Sequence, residues 1–196
     1  MLTFALAAFF LFITPGPGVL SAAGVGSAYG YRKGVRYFIG LFLGTNLVAV
    51  AVISGLAAVM LSNPALRTFF FGWSVLYLLY LAFRIAFSGS KIAFRAAPEA
   101  PGVVSGIMLQ VVNPKAYAVA TAFFTGFPFW PESLAVETAI KLGIMNAIWF
   151  PIHLGWFAAG VTVRRLDLAP RTQFIINIIM ALAMLAVVAL AALGPL

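Results

Sequence analysis

Long apolar segments separated by short polar ones dominate this sequence. Six segments are long enough to cross a hydrocarbon core, which requires roughly 20 helical residues, and we expect spans at about 2–27, 37–60, 66–87, 102–126, 134–160 and 173–194. Prolines interrupt the first span after Thr14 and the fourth after Asn113. The pattern predicts an all-α membrane protein with six transmembrane helices, the first and fourth of which are broken at proline.

The first break has the sequence Thr14-Pro15-Gly16-Pro17-Gly18. Its prolines and glycines oppose a continuous helix, and hydrocarbon supplies no water for the freed backbone groups, so the break must face protein or a cavity. Thr14 is a suitable N-cap and Pro15 a suitable first residue for a new half-helix, which would leave the Gly16 and Gly18 amides unpaired. Because a half-helix N-terminus favours negative charge, the break predicts an anion-binding site near the bilayer midplane.

Features of the first half recur in the second half. Thr14-Pro15 recurs as Asn113-Pro114 at an offset of 99 residues, and Asn46 recurs as Asn146 at an offset of 100 residues. Chance coincidence is the alternative, because few residues match. The offsets predict an internal repeat in which two broken spans and two asparagines occupy corresponding positions.

We therefore expect one transmembrane domain, residues 1–196, made of two three-helix repeats at 1–98 and 99–196. An odd number of spans in each repeat makes the second repeat enter the membrane from the opposite side. This arrangement is an inverted repeat, and transporters built in this way bind their substrates where the repeats meet.

Composition and charge support the membrane assignment. Hydrophobic residues make up 64% of the chain and charged residues 8%, whereas soluble domains carry about 25% charged residues. The net charge of +8 comes from basic residues concentrated in the first, third and fifth loops and at the end of the third span, namely Arg32, Lys33, Arg36, Arg84, Lys91, Arg95, Arg164, Arg165 and Arg171. The second loop and its margin contribute Arg67 alone. The positive-inside rule places the basic loops in the cytoplasm and both termini outside, so the charge indicates topology rather than a nucleic-acid partner.

Several function classes are excluded by what the sequence lacks. It has no cysteine, one histidine and four acidic residues, so we expect no metal centre and no cofactor. It contains no Gly-x-x-x-x-Gly-Lys-Ser/Thr motif for ATP, and its spans hold neither paired carboxylates nor a nucleophile with a base. We therefore expect no enzyme. A gradient-driven transporter and a passive channel or pore for small solutes remain.

Ionisable residues inside the predicted spans are the next candidates, because such residues are costly in a membrane and usually functional. Lys115 follows the second break and is either the partner of an anionic substrate group or a lysine satisfied by carbonyls of the opposing break. Glu137 and Lys141 are spaced to form an ion pair, and Glu137 is also a candidate for proton coupling. His153 is either a hydrogen-bonded packing residue or a proton relay.

Neutral polar residues and small residues complete the candidates. Asn46, Asn146 and Gln110 are suited to hydrogen bonds between helices or to substrate contacts, and the repeat favours substrate contacts for the two asparagines. Gly40 and Gly44 form a Gly-x-x-x-Gly pair, which predicts a close helix contact.

Taken together, four of these motifs resemble the LysE/RhtB family of bacterial amino-acid exporters: Thr14-Pro15-Gly16-Pro17, Gly30-Tyr31-Arg32-Lys33-Gly34, the pair Gly40 and Gly44, and Asn113-Pro114-Lys115. The resemblance covers most of the chain and implies efflux of amino acids or their derivatives across the bacterial inner membrane, driven by the proton gradient. It also implies that exporters of lysine or arginine carry acidic residues at positions where this sequence has Thr45 or Asn46 and Val119. That departure favours a neutral substrate such as threonine, homoserine or leucine.

The combined expectation is an amino-acid site between the two breaks. The amides of Gly16, Gly18, Lys115 and Ala116 would bind the substrate carboxylate, and Asn46 and Asn146 would contact its amine or side chain. The expected substrate-binding residues are Thr14, Pro15, Gly16, Pro17, Gly18, Asn46, Asn113, Pro114, Lys115, Ala116 and Asn146. The partners are then the amino acid and the lipid bilayer. A homo-oligomer stays open, because apolar surface in a membrane protein faces lipid.

The topology is testable with reporter fusions. A reporter fused after Lys33 should be active only in its cytoplasmic form, because this position follows the first span within a basic segment. A reporter fused after Trp130 should be active only outside. The reverse pattern of activities would contradict the orientation.

Overall fold

The computed structural model describes residues 1–86, 99–166 and 168–193, and this part of the chain is all-helical. Two basic residues used for the topology, Lys91 and Arg95, lie outside the described residues. The helices are α1 (Leu2–Ile13), α2 (Pro17–Ile53), α3 (Leu56–Ser62), α4 (Pro64–Ala86), α5 (Val103–Val112), α6 (Pro114–Thr125), α7 (Leu134–Arg165) and α8 (Pro170–Leu193).

Length and composition make several of these helices candidates for membrane spans. Helices α2 and α7 are each long and apolar enough to be a candidate by themselves. Helices α5 and α6 together make a third candidate, which is bent by 68° at the break between them. Shorter apolar helices occur at Leu2–Ile13, Val75–Ala86 and Arg171–Ala183. The expectation of an all-α, multi-pass membrane protein is therefore confirmed.

The first break lies where the sequence predicted it, but its capping differs. Thr14 ends α1 instead of starting α2: its amide and its hydroxyl both donate to the Phe10 carbonyl, at 3.2 and 2.6 Å. Gly16 is the N-cap of α2 and Pro17 its first residue. The prediction of Thr14 as N-cap and Pro15 as first helical residue was wrong, because the threonine hydroxyl bonds back to the preceding turn and Pro17 suits the first helical position equally well.

The second break follows the expected pattern. Helix α5 ends at Val112, Asn113 caps α6, and Pro114 is the first residue of α6. The Asn113 side chain accepts a hydrogen bond from the Lys115 amide at 3.1 Å. An asparagine followed by proline therefore ends one half-helix and begins the next, as the sequence indicated.

A single glycine replaces the loop expected between the first two spans. Helical structure continues through Arg32, Lys33 and Arg36, and only Gly30 departs from it, with φ 73° and ψ −177°. The chain folds back there, because a Cβ on Gly34 would lie 3.2 Å from Val25 Cγ1, whereas nine residues of straight helix span roughly 13 Å. Glycine readily adopts this conformation, which is strained for other residues. The expected loop at 27–37 was therefore wrong, and the second span ends at Ile53 rather than at residue 60.

Glycines bring the helices into backbone contact. A Cβ on Gly40 would lie 2.1 Å from the Val103 carbonyl oxygen, and a Cβ on Gly160 would lie 2.0 Å from the Ala23 carbonyl oxygen. Gly44 faces Ile107 in the same way, at 3.0 Å. The close helix contact predicted for Gly40 and Gly44 is confirmed, and it holds α2 against α5.

Two buried apolar clusters lie next to the breaks. One joins α2, α4, α5 and α7 and includes Tyr37, Leu109 and Phe157. The other joins α1, α2, α6 and α7 and includes Phe4 and Phe123. Phe12, one turn before the first break, packs against both clusters, so the break lies between them.

The glycine contact generates a stability prediction. Gly40→Ala should lower the free energy of unfolding by about 1–3 kcal/mol, the usual cost of overpacking, because the new methyl group meets backbone atoms that cannot rotate away. Thermal melting in detergent, followed by size-exclusion chromatography, measures the loss. Gly143→Ala is the matched control, since no atom beyond its own stretch of helix backbone lies within 4 Å of its Cβ position. Equal melting temperatures for the two variants would contradict the contact.

Candidate functional site

The two helix breaks meet through Lys115. Its Nζ donates a hydrogen bond to the Thr14 carbonyl at 2.8 Å, and a Cβ on Gly16 would lie 3.0 Å from the same Nζ. This contact is the one the sequence left as an alternative, a lysine satisfied by a carbonyl of the opposing break. This hydrogen bond uses one of the three N–H donors of the ammonium.

A cavity of about 50 Å³ lies between the breaks. Since one water needs about 10–15 Å³ of such space, the cavity holds roughly three to five waters, which is also enough for the charged end of an amino acid. Seven of the expected site residues line it, namely Thr14, Gly16, Gly18, Asn113, Lys115, Ala116 and His153. Apolar side chains that include Leu11, Phe12, Phe123, Met145 and Trp149 form much of the remaining wall.

The other expected residues lie elsewhere. Pro15, Pro17 and Pro114 belong to the breaks but do not line the cavity, and neither do Asn46 and Asn146. The two asparagines bind each other through both amides, at 2.9 Å in each direction. Each also donates to a carbonyl of its own helix at 3.0 Å. Their N–H groups are thus used in joining α2 to α7, and the expectation that they contact substrate finds no support in this arrangement.

The backbone amides at the two breaks differ. The Lys115 amide donates to Asn113 Oδ1 and the Ala116 amide to the Asn113 carbonyl, at 3.1 and 3.0 Å, so the expectation that both are free for a carboxylate was wrong. Asparagine capping is the physical reason. For the amides of Gly16 and Gly18, the described residues supply no hydrogen-bond partner. The open N-terminus is therefore that of α2.

A polar network under the second break includes Gln110, which the sequence left between a hydrogen bond between helices and a substrate contact, and Thr45, which the sequence reasoning did not place in the site. Gln110 Nε2 donates to Thr45 Oγ1 at 2.8 Å, and Gln110 Oε1 accepts from Asn113 Nδ2 at 3.1 Å. Thr45 and Gln110 both line the cavity. The available signal was the spacing of Gln110 and Asn113, since residues three apart share a helix face.

His153 lies on the cavity wall with its ring held in place. The ring stacks on Trp149 at 3.9 Å between centroids and meets the edge of Phe12 at 6.0 Å. Nδ1 lies 3.0 Å from the Trp149 carbonyl oxygen. The expected hydrogen-bonded packing role is therefore confirmed, and the ring also faces the cavity.

The ion pair predicted for Glu137 and Lys141 is confirmed, with 2.8 Å between Oε1 and Nζ and side chains only 8% and 3% exposed. Glu137 Oε2 also accepts from the amides of Phe129 and Trp130, at 2.8 and 2.6 Å. Lys141 donates to the Gly126 carbonyl at 2.9 Å. The ion pair thus holds the segment that connects α6 to α7, and neither of its residues lines the cavity.

The electrostatics of the cavity favour an anion. Lys115 is charged, the N-terminus of α2 opens onto the cavity, and none of the described residues that line it is acidic. Unpaired helix amides and a lysine both favour a carboxylate. The arrangement suits a ligand that carries one negative group and no extra positive side chain.

Known proteins with similar sequences include amino-acid efflux proteins. The chain is 29% identical over 130 residues to the leucine efflux protein of Enterobacter sp. (strain 638) and 26% identical over 132 residues to that of Klebsiella pneumoniae, with 64% of the chain aligned in each case. It is 28% identical over 155 residues to the cysteine/O-acetylserine efflux protein of Salmonella typhimurium, with 78% of each chain aligned. No family model matches the sequence, and no solved structure matches it.

These matches make the chain a homologue of bacterial efflux transporters, not of enzymes. More particularly, its relatives are efflux proteins for leucine and for cysteine/O-acetylserine, which confirms the resemblance to amino-acid exporters read from the motifs. The chain spans 62% of the length of each of these two leucine efflux proteins.

The contacts of Glu137 predict a structural role. Glu137→Gln should lower the melting temperature, because Lys141 loses its carboxylate, and it should leave the pH dependence of transport unchanged, because the carboxylate lies away from the cavity. The double variant Glu137→Gln/Lys141→Met should melt above the single variant, since it removes the unpaired charge. Melting in detergent and a transport pH series in proteoliposomes measure the two effects. A shifted pH profile in the folded single variant would instead make Glu137 part of a proton relay.

Proposed function

We propose that this chain is a secondary transporter of the bacterial inner membrane that exports neutral amino acids, such as leucine, threonine or homoserine, or their derivatives. The observation that carries the proposal is the cavity at which the two helix breaks meet, with the Lys115 ammonium and the open N-terminus of α2 on its wall. Homology to leucine and cysteine/O-acetylserine efflux proteins supports the same class of substrate.

The substrate carboxylate binds to the Lys115 ammonium and the Gly16 and Gly18 amides. The ammonium has N–H donors beyond the one that binds the Thr14 carbonyl, so it can donate to a carboxylate while it stays bonded to the first break. The lack of acidic residues in the described lining gives a cationic side chain no counter-charge. A neutral amino acid is therefore the preferred substrate.

The six spans form two inverted three-helix repeats, 1–98 and 99–196, with both termini outside. Two contacts between the halves support this division. Lys115 of the second break reaches Thr14 of the first, and Asn46 pairs with Asn146. Alternating access then rocks one repeat against the other around the cavity, with the two breaks as hinges.

The proton gradient drives export, as the resemblance to the LysE/RhtB exporters implies, and the sequence offers no nucleotide-binding loop as another energy source. A passive channel is compatible with the same two helix breaks. Its flux would neither saturate with solute concentration nor depend on an imposed pH gradient. The transport assay below separates the two.

The decisive experiment is counterflow of labelled amino acids in proteoliposomes, with and without an imposed pH gradient. Wild type should show saturable, gradient-dependent movement of at least one neutral amino acid. Lys115→Met should raise KM about ten- to a hundredfold or abolish transport, because it removes a charge-assisted hydrogen bond worth about 1.5–3 kcal/mol.

Lys33→Met is the matched control, because it makes the same substitution at an exposed lysine outside the cavity and should transport like wild type. Size-exclusion chromatography and melting in detergent establish that both variants are folded. Normal export by Lys115→Met would remove this lysine from the site. Flux that does not saturate in wild type would favour the channel.

A further inference from the structure

His153 and Gln110 approach one position in the cavity, the space beside Gly18. A Cβ on Gly18 would lie 3.4 Å from His153 Nε2 and 3.4 Å from Gln110 Nε2. Gly18 has no side chain to fill this space, and all three residues line the cavity. The chemistry of the two nitrogens therefore determines which ligand fits there.

His153 offers an acceptor at this position. Its Nδ1 lies 3.0 Å from the Trp149 carbonyl, and since a carbonyl only accepts, Nδ1 carries the proton and Nε2 of the neutral ring carries a lone pair. Stacking on Trp149 and the edge contact with Phe12 hold the ring in this orientation. Only 4% of the residue is exposed.

Gln110 offers a donor at the same position. Its Oε1 accepts from Asn113 Nδ2 and its Nε2 donates to Thr45 Oγ1, which fixes the amide with Nε2 nearer to Gly18 than Oε1, at 3.4 against 3.9 Å. A primary amide has two N–H groups, so one is left for a ligand. An acceptor and a donor thus face a single point.

We propose that these two nitrogens bind the two charged groups of a zwitterionic α-amino acid. His153 Nε2 accepts a hydrogen bond from the α-ammonium, and Gln110 Nε2, together with Lys115, donates to the carboxylate. The two charged groups of an α-amino acid share one carbon, so they fit an acceptor and a donor that lie this close together. The inference rests on the proposed function and narrows its substrate class, excluding organic acids and simple amines as good substrates.

A proton competes with the substrate ammonium for the same lone pair. Protonated at Nε2, the ring becomes a cation with two donors and no acceptor, which repels an ammonium group. Binding of the amino acid requires that this proton leave to water in the cavity. Lys115 of α6 is the charged group that lines the cavity with His153, while Phe12 of α1, Gly18 of α2 and Gln110 of α5 are neutral. Leucine KM should therefore rise at a pH low enough to protonate this ring, which is buried and shares the cavity with Lys115.

The test uses labelled leucine counterflow with the full chain in proteoliposomes. Unlabelled 4-methylpentanoate lacks the amine and 3-methylbutylamine lacks the carboxylate, and each should compete about ten- to a hundredfold more weakly than leucine. His153→Phe keeps an aromatic ring on Trp149 but removes the acceptor. It should raise leucine KM by a similar factor and leave competition by 4-methylpentanoate unchanged, so that discrimination between the two compounds is lost.

His153→Gln separates binding from proton competition, because its side-chain oxygen accepts a hydrogen bond but does not titrate. This variant should keep most of the leucine affinity and lose the pH dependence of KM. It also carries the test if His153→Phe does not fold. Unchanged discrimination between leucine and 4-methylpentanoate in folded His153→Phe would overturn the ammonium site, and so would a wild-type pH dependence of KM in His153→Gln. The proposed function would still hold in either case if wild type exchanges leucine and Lys115→Met does not. Wild type without saturable leucine exchange would overturn the leucine site and the inference with it.

Discussion

Backbone groups freed inside a hydrocarbon layer must find partners within the protein, and this constraint organises the structure around its two helix breaks. The carbonyl of Thr14 binds the ammonium of Lys115, so one break stabilises the other. Close helix packing holds the helices that carry the breaks. Gly40 and Gly160 provide it, since each allows α2 to touch a neighbouring helix through its backbone.

The two breaks satisfy the constraint by different means, and the difference gives the cavity its polarity. Asn113 caps the second break, so the first amides of α6 are occupied. Gly16 has no side chain with which to cap α2, and the amides of the first break stay open. The second break contributes a lysine side chain instead of its amides. Positive potential from both halves thus reaches one cavity through different chemical groups.

Local rules predicted those features that depend on neighbours in sequence. The breaks, the Asn113 cap, the Gly40 and Gly44 contact and the pair of Glu137 with Lys141 all follow from spacing and residue type. Features that depend on tertiary contacts were not predictable in this way. Thr14 had two local hydrogen-bonding choices, and Gly30 replaced a loop only because the two parts of α2 pack against each other. Asn46 and Asn146 were matched as counterparts in the predicted repeat, but their contact with each other needed the structure.

Under the proposed function, the placement of Thr45 and Gln110 gives a neutral polar lining an advantage over a charged one. An acidic residue would bind a substrate ammonium strongly, but it would also pair with Lys115 across a small cavity and leave less positive charge for the carboxylate. The amide of Gln110 and the hydroxyl of Thr45 satisfy each other instead, and the partner of Lys115 among the described residues is the weaker carbonyl of Thr14. Because a carboxylate binds an ammonium more strongly than a carbonyl does, the lysine stays available to a substrate. A binding group that is held weakly when the cavity is empty loses little when the substrate binds, and the Thr14 carbonyl gives it a partner again when the substrate leaves.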